Sequence, residues 1–366
     1  MNISPKDKIS TVQTAISVTL LTIGVSILTV PRAITEAVKT PDGWLSILIG
    51  GLIAMAGGYL VVSLSRRFPG KTFFQYNQIV VGKTVGLLFS ILLIIHFILL
   101  SSYEARALSE LVRIYLLGRT PREVIVILFL TTGTYLVVGG INPIVRLLEA
   151  YFPIIMLLIL IGMMSGFQKF ELDNLRPVLA QGIGPVFKGV RAVLISYVGY
   201  ESMLILTNFM QDPKKAFKAV FAGISISMIS YLLIFVVVIG MLTVEEVQLL
   251  TWPVASASME IEVPGGIIER FEPIFLVLWI LTIYTTFVLS YYFAGLGLAQ
   301  LFRKDINPFL YGLLPIMYIA AMLPPDLNAV FKMGDLNGYI GIVSGIFIPL
   351  ILLGIIWIRR IGNGQK

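Results

Sequence analysis

The chain has 366 residues, 57% of them hydrophobic and only 13% charged, with 27 basic and 20 acidic side chains and a net charge of +7. A water-facing domain carries about 25% charged residues, so this composition excludes a soluble body of comparable size. Cysteine is absent and histidine occurs once, which excludes a disulfide framework, a Cys/His metal site and a histidine-based catalytic triad.

The apolar residues form continuous blocks, not ten-residue alternations. Each block is long enough for a helix of about 20 residues across a bilayer, where only helices and closed barrels satisfy the backbone. The expected fold is therefore an all-α polytopic membrane protein of about ten transmembrane helices, and the expected localisation is a membrane. Met1 to Thr11 is polar, and no small-residue cleavage site ends the apolar run behind it, so the first helix is expected to remain.

Span one covers about 10–38 and contains Gly24-Val25-Ser26-Ile27-Leu28-Thr29-Val30-Pro31. Glycine weakens a helix, and Pro31 removes a donor and crowds the preceding turn, so an interruption is expected here. Arg32 and Glu36, four apart, either pair with each other or guard an outer vestibule; the pair is preferred. Span two is about 43–65 and span three about 84–116. In span three, Arg106 and Glu110 have ion-pair spacing, whereas Glu104 is left free to face a cavity. His96 is either a proton relay or, the preferred reading, a bond to a neighbouring helix.

Spans four and five are about 122–139 and 144–167. Span six, about 182–210, carries Ser196-Tyr197-Val198-Gly199-Tyr200-Glu201, a glycine and a carboxylate in the middle of an apolar run. Span seven is about 216–242. Span eight, about 265–302, contains Thr282, Thr285, Thr286 and Ser290, whose hydroxyls either meet a ligand or a sodium ion or bond back to their own helix. Spans nine and ten are about 307–323 and 337–358. No low-complexity linker divides the chain, so 1–366 reads as a single transmembrane domain.

Basic residues concentrate on one side, with Arg66, Arg67, Lys71, Lys214, Lys215, Lys218, Arg303 and Lys304 in segments that face the cytoplasm if the N-terminus is inside. The acidic stretch Glu245, Glu246, Glu260, Glu262, Glu269 and Glu272 then lies outside. An even span count puts both termini in the cytoplasm. The basic excess is an orientation signal and not a nucleic-acid footprint.

The two interruptions lie five spans apart. Five is odd, so the second set of five enters the membrane upside down relative to the first. This is the pattern of an inverted repeat with broken central helices, repeat one being about 10–167 and repeat two about 182–358. Half-helix N-termini suit a carboxylate and half-helix C-termini an ammonium. Gly24, Val25, Ser26 and Ile27 with Tyr197, Val198, Gly199, Tyr200 and Glu201 are therefore expected to line one small-molecule site. The competing reading is a pair of packing glycines and a proline kink. No catalytic or metal-ligating set and no cofactor is expected.

The interruptions resemble those of the amino acid–polyamine–organocation superfamily, Ser26 standing where its Gly-x-Gly-Ile pattern has the second glycine. A finer resemblance runs along the chain: Gly24 to Pro31, Arg67-Phe68-Pro69, Gly82-Lys83, Arg119-Thr120-Pro121, Arg146 with Glu149, Asn174-Leu175-Arg176-Pro177-Val178, Gly199-Tyr200-Glu201, Pro213-Lys214-Lys215, Trp252-Pro253, Ile268-Glu269-Arg270-Phe271 and Trp279-Ile280. In these segments the chain resembles the B subunits of endospore germinant receptors. That resemblance implies the five-plus-five fold of the leucine-transporter type. It also implies a small amino-acid-like germinant, A and C partner subunits, and the spore inner membrane. It further implies that Tyr103 and Glu104 of span three, with Thr285 and Thr286 of span eight, contribute to the site's walls. The alternative is a stand-alone amino acid permease of the same fold. Span five has no lysine between Arg146 and Phe167, which disfavours proton coupling by a lysine there.

Overall fold

The computed structural model describes residues 7–259 and 272–360, and the sequence features at Lys6, Glu260, Glu262, Ile268 to Phe271 and Lys366 lie outside them. Within the described residues the chain is helical. Helix α1 (Thr11–Ile23) starts at a capping box, in which the Ser10 hydroxyl accepts the Gln13 N–H and the Gln13 side chain accepts the Ser10 N–H. It stops at Gly24, and α2 (Ser26–Val38) resumes with its axis turned by 50°. Pro31 lies inside α2 without ending it, so the glycine and not the proline makes the interruption.

Helix α3 (Gly43–Ser65) follows a short turn, and α4 (Phe73–Val81) is a short helix opened by a second capping box at Thr72 and Gln75. Helix α5 (Lys83–Tyr115) has 33 residues, about 50 Å of rise. It is flanked by α4, by α6 (Arg122–Val137), and later in the chain by α13 (Glu272–Phe302), α14 (Asn307–Met322) and α15 (Leu327–Ile342), which makes it the central post of the described residues. Helix α7 (Ile141–Gly166) leads into a linker pinned by Glu171 N–H and the Asn174 amide to Gly240 O, and by Leu179 N–H to the Asp42 carboxylate.

The sixth apolar segment is broken. Helix α8 (Gly184–Ser196) ends, a single 3-10 turn covers Tyr200–Ser202, and α9 (Met203–Leu206) completes a pair bent by 45°. Helices α10 (Ala216–Met241), α11 (Val244–Leu249), α12 (Pro253–Met259), α13 (Glu272–Phe302) and α14 (Asn307–Met322) follow. The chain ends with α15 (Leu327–Ile342), a π-helical turn at Val343–Phe347, and α16 (Ile348–Arg359). Helix α15 begins ten residues before the expected start of this span at 337, because Asp326 caps it by accepting the Ala329 N–H and its first turns carry polar residues that mask the span.

Among the described residues, six helical runs are long and apolar enough to cross a membrane, and each bent pair adds one, giving up to eight. Helices α6 and α14, with 16 residues each, rise about 24 Å, short of a hydrocarbon core of about 30 Å. Large apolar side chains face outward along these runs, among them Leu88, Leu128, Leu157 and Ile229, each more than half exposed. A polytopic membrane protein turns such residues to lipid, and the chain is one.

The two broken segments pack on each other. Helix α2 lies along α8, α1 touches the 3-10 turn, and Ile9 exchanges backbone hydrogen bonds with Phe209 and Gln211 (2.8 and 2.9 Å), tying the chain's start to the end of the second broken segment.

Candidate functional site

The bends fall at Gly24-Val25 and at Tyr197-Val198-Gly199. Breaking a helix frees its amide and carbonyl groups, and buried ones need partners. At the first break, Glu104 Oε1 of α5 accepts the Val25 N–H (3.3 Å), and the Thr286 hydroxyl of α13 donates to Leu20 O (2.7 Å). A side chain on Gly24 has no room, since its Cβ falls 2.6 Å from Glu104 Oε1 and 2.8 Å from Thr286 Oγ1.

At the second break, Gly199 has φ +144°, a conformation that L side chains rarely adopt, and its Cβ position lies 2.8 Å from the backbone nitrogen of Thr22. Glu201 Oε2 accepts the Gly199 N–H (2.6 Å), while its Oε1 lies 3.1 Å from His96 Nε2 of α5. Both side chains of that pair are fully buried. His96 thus bonds a neighbouring helix, as its sequence setting favoured.

One side chain joins the two breaks directly. The Tyr231 hydroxyl of α10 lies 2.7 Å from Thr22 O and 2.9 Å from Ser196 O, sharing its single proton between two carbonyls that the breaks leave unpaired. Tyr231, one of 15 tyrosines, has only a diffuse signal in the sequence as a site residue: it follows Ser225, Ser227 and Ser230 in a span that is apolar beyond Lys218.

Beside the breaks lies a cavity of about 600 Å³, within the range of small-molecule sites. It is walled by α2, α5, α8 and α15. Of the expected site residues, Ser26, Tyr103, Glu104 and Val198 line it. Gly24, Val25, Ile27, Tyr197, Gly199, Tyr200 and Glu201 form the breaks without appearing in the cavity wall. Tyr197 is turned away, donating to Ile47 O (3.0 Å). The hydroxyls of α13 divide: Thr286 reaches across to α1, whereas Thr285 bonds back to Thr282 O (2.7 Å) and Thr282 to Leu278 O (2.9 Å).

The wall contributed by α15, with Asn328, Lys332, Asp335 and Asn337, was missed from sequence. A polar stripe on a helix that looked like a loop is the signal that carried it. Four bases (Arg32, Lys188, Arg191, Lys332) and three acids (Glu36, Glu104, Asp335) face the cavity, so it offers both signs of charge to a small zwitterion. Arg32 is paired with Glu36 at 2.7 Å, and Arg106 with Glu110 at 3.0 Å. Arg106 also donates to Ala321 O and Pro324 O (3.2 and 3.0 Å), fixing the approach to α15. Among the described residues, no three Asp, Glu or His side chains converge as a metal centre requires.

A family profile described as "Spore germination protein" matches residues 8–330. The chain is 39% identical over 360 residues to spore germination protein YndE of Bacillus subtilis, covering 98% of this chain and 99% of the relative. It is 35% identical to spore germination protein A2 of the same organism, covering 96% of each. Spore germination protein GerLB of Bacillus cereus is 29% identical, with 94% of this chain and 93% of the relative covered.

Proposed function

The chain belongs to the spore germination protein family, and on that premise we propose that it is the ligand-sensing B subunit of a germinant receptor. It binds a small amino-acid-like germinant at mid-membrane depth, in the cavity beside the two breaks. The observation that carries the reading is that cavity: about 600 Å³, lined by charges of both signs and walled by the outer half of one broken helix and the first half of the other.

In this reading the ten helices form a five-plus-five inverted repeat with broken helices one and six. The support is that the bends at Gly24-Val25 and Tyr197-Gly199 fall in the first and sixth apolar segments. The termini are cytoplasmic, the membrane is the inner membrane of the spore, and A and C subunits carry the signal onward. A reporter fused behind Lys366 should read cytoplasmic; an external readout would refute the topology. A ligand that prefers one arrangement of the breaks shifts the population toward it, and rocking of one bundle against the other is felt by the partners.

Broken helices around a central cavity also serve secondary transporters, so a self-sufficient amino acid permease is the competing assignment. Purified chain in sealed proteoliposomes separates the two with a panel of radiolabelled amino acids. Saturable binding without accumulation is the expected result. Concentrative uptake by the chain alone overturns the receptor reading, and failure of every amino acid to bind overturns the site.

A further inference from the structure

We propose that the cavity reads its ligand through a cationic primary amine held by Glu104. This rests on the ligand-binding reading above and adds the group for which the site selects.

Glu104 lines the cavity and is 2% exposed. Its Oε1 accepts the Val25 N–H at the start of α2 (3.3 Å). Its Oε2 is buried with no hydrogen-bond partner. A ligand ammonium placed there would pair with Glu104 as a carboxylate, whose oxygens only accept. Asn337, 3% exposed on the facing helix α15, lines the same cavity, and its Oδ1 is a second buried acceptor without a partner. Unmatched buried acceptors are costly, and an ammonium brings three N–H donors to them.

The amides that a ligand carboxylate would seek point the same way. The Val25 N–H is taken by Glu104 and the Gly199 N–H by Glu201. The protein's own carboxyl oxygens fill both amides, so a ligand carboxylate finds neither N–H free, while the unpartnered Glu104 Oε2 and Asn337 Oδ1 remain to accept from an amine. Negative charge is instead invited at the cavity's outer end. Arg32 and Arg191 are engaged there with Glu36 and Tyr339, while Lys188 and Lys332 have no ion pair among the described residues. Arg32 lies seven residues beyond Val25, about 10 Å along α2, so these bases steer an incoming zwitterion more than they grip a compact one at the floor.

The test uses the full chain in lipid nanodiscs. Thermal-shift screening of the common amino acids identifies the best stabiliser. That compound is then compared with its decarboxylated amine and with its deaminated acid. We expect the amine to keep most of the stabilisation and the deaminated acid to lose it. Glu104→Gln, which retains an acceptor for the Val25 N–H, should weaken the amine about tenfold or more. Equal binding of parent and deaminated acid overturns the inference while leaving the ligand-binding reading intact, as does unchanged affinity in Glu104→Gln. The analogue comparison needs no variant, so it decides even if Glu104→Gln fails to insert. If no amino acid shifts the melting temperature, the binding reading falls and this inference with it.

Discussion

Replacing Tyr231 by Phe removes one oxygen and leaves the ring in place against Tyr197, 5.4 Å away centre to centre. What is lost is the shared bond to Thr22 O and Ser196 O, at 2.7 and 2.9 Å. Water cannot readily compensate, because Tyr231 is fully buried. A buried carbonyl stripped of its donor costs about 1–3 kcal/mol, and since one proton served both, about 2 kcal/mol in total is a fair expectation. That corresponds to about a 30-fold shift in the equilibrium between the closed and locally opened breaks. Hydrogen–deuterium exchange on the chain in nanodiscs reads this directly. Peptides spanning residues 20–28 and 194–202 should exchange faster in Tyr231→Phe by about that factor, whereas peptides from the middle of α3 and α13 should not. If only one of the two peptides accelerates, Tyr231 does not bridge the breaks. If neither does, the hydroxyl is dispensable and does not hold either break.

Three further outcomes are expected. Glu201→Ala strips both the Gly199 N–H and His96 of a partner and should destabilise by about 3–5 kcal/mol, whereas Glu201→Gln, which keeps an acceptor and a donor there, should recover most of it; equal melting temperatures for the two would show that the pair is not structural. Gly24→Ala puts a methyl 2.6 Å from Glu104 Oε1 and should abolish ligand-induced thermal stabilisation while the protein still inserts; a wild-type ligand response removes Gly24 from the site's framework. Arg106→Lys keeps the charge but not the fork that reaches Ala321 O, Pro324 O and Glu110, so about 3 kcal/mol should be lost in thermal unfolding, and an unchanged melting curve would refute that role.

Both breaks were readable because their causes are local. A glycine beside small and polar residues marks them without knowledge of what lies opposite. Glu104, Arg106 with Glu110, and Arg32 with Glu36 were readable for a related reason: charge is conspicuous in an apolar run, and i,i+4 pairing is set by helix geometry. What could not be read was that Glu201 is turned from the cavity wall. Glu104 and Glu201 were both expected to line the site, but His96 stands 105 residues away from Glu201 in sequence and occupies it, a contact that no local pattern encodes. The α15 wall was missed because its polar stripe lowers the hydropathy that marks a span. The π turn at Val343–Phe347 carries no proline or glycine pair to distinguish it from an ordinary helix, although Gly345 within it makes room for Tyr200.

The post α5 holds the amide side of both breaks, through Glu104 at one and His96 with Glu201 at the other, and Tyr231 clasps the carbonyl side of both. Such cross-bracing leaves few half-way houses: loosening one joint strains the other, so the pair should flip together. A population of these molecules meeting a weak stimulus would then divide into switched and unswitched members, instead of settling everywhere into a partial response. In the receptor proposed above, a two-handed lock of this kind would resist stray nudges, and a commitment, once made, would be complete in each molecule that makes it.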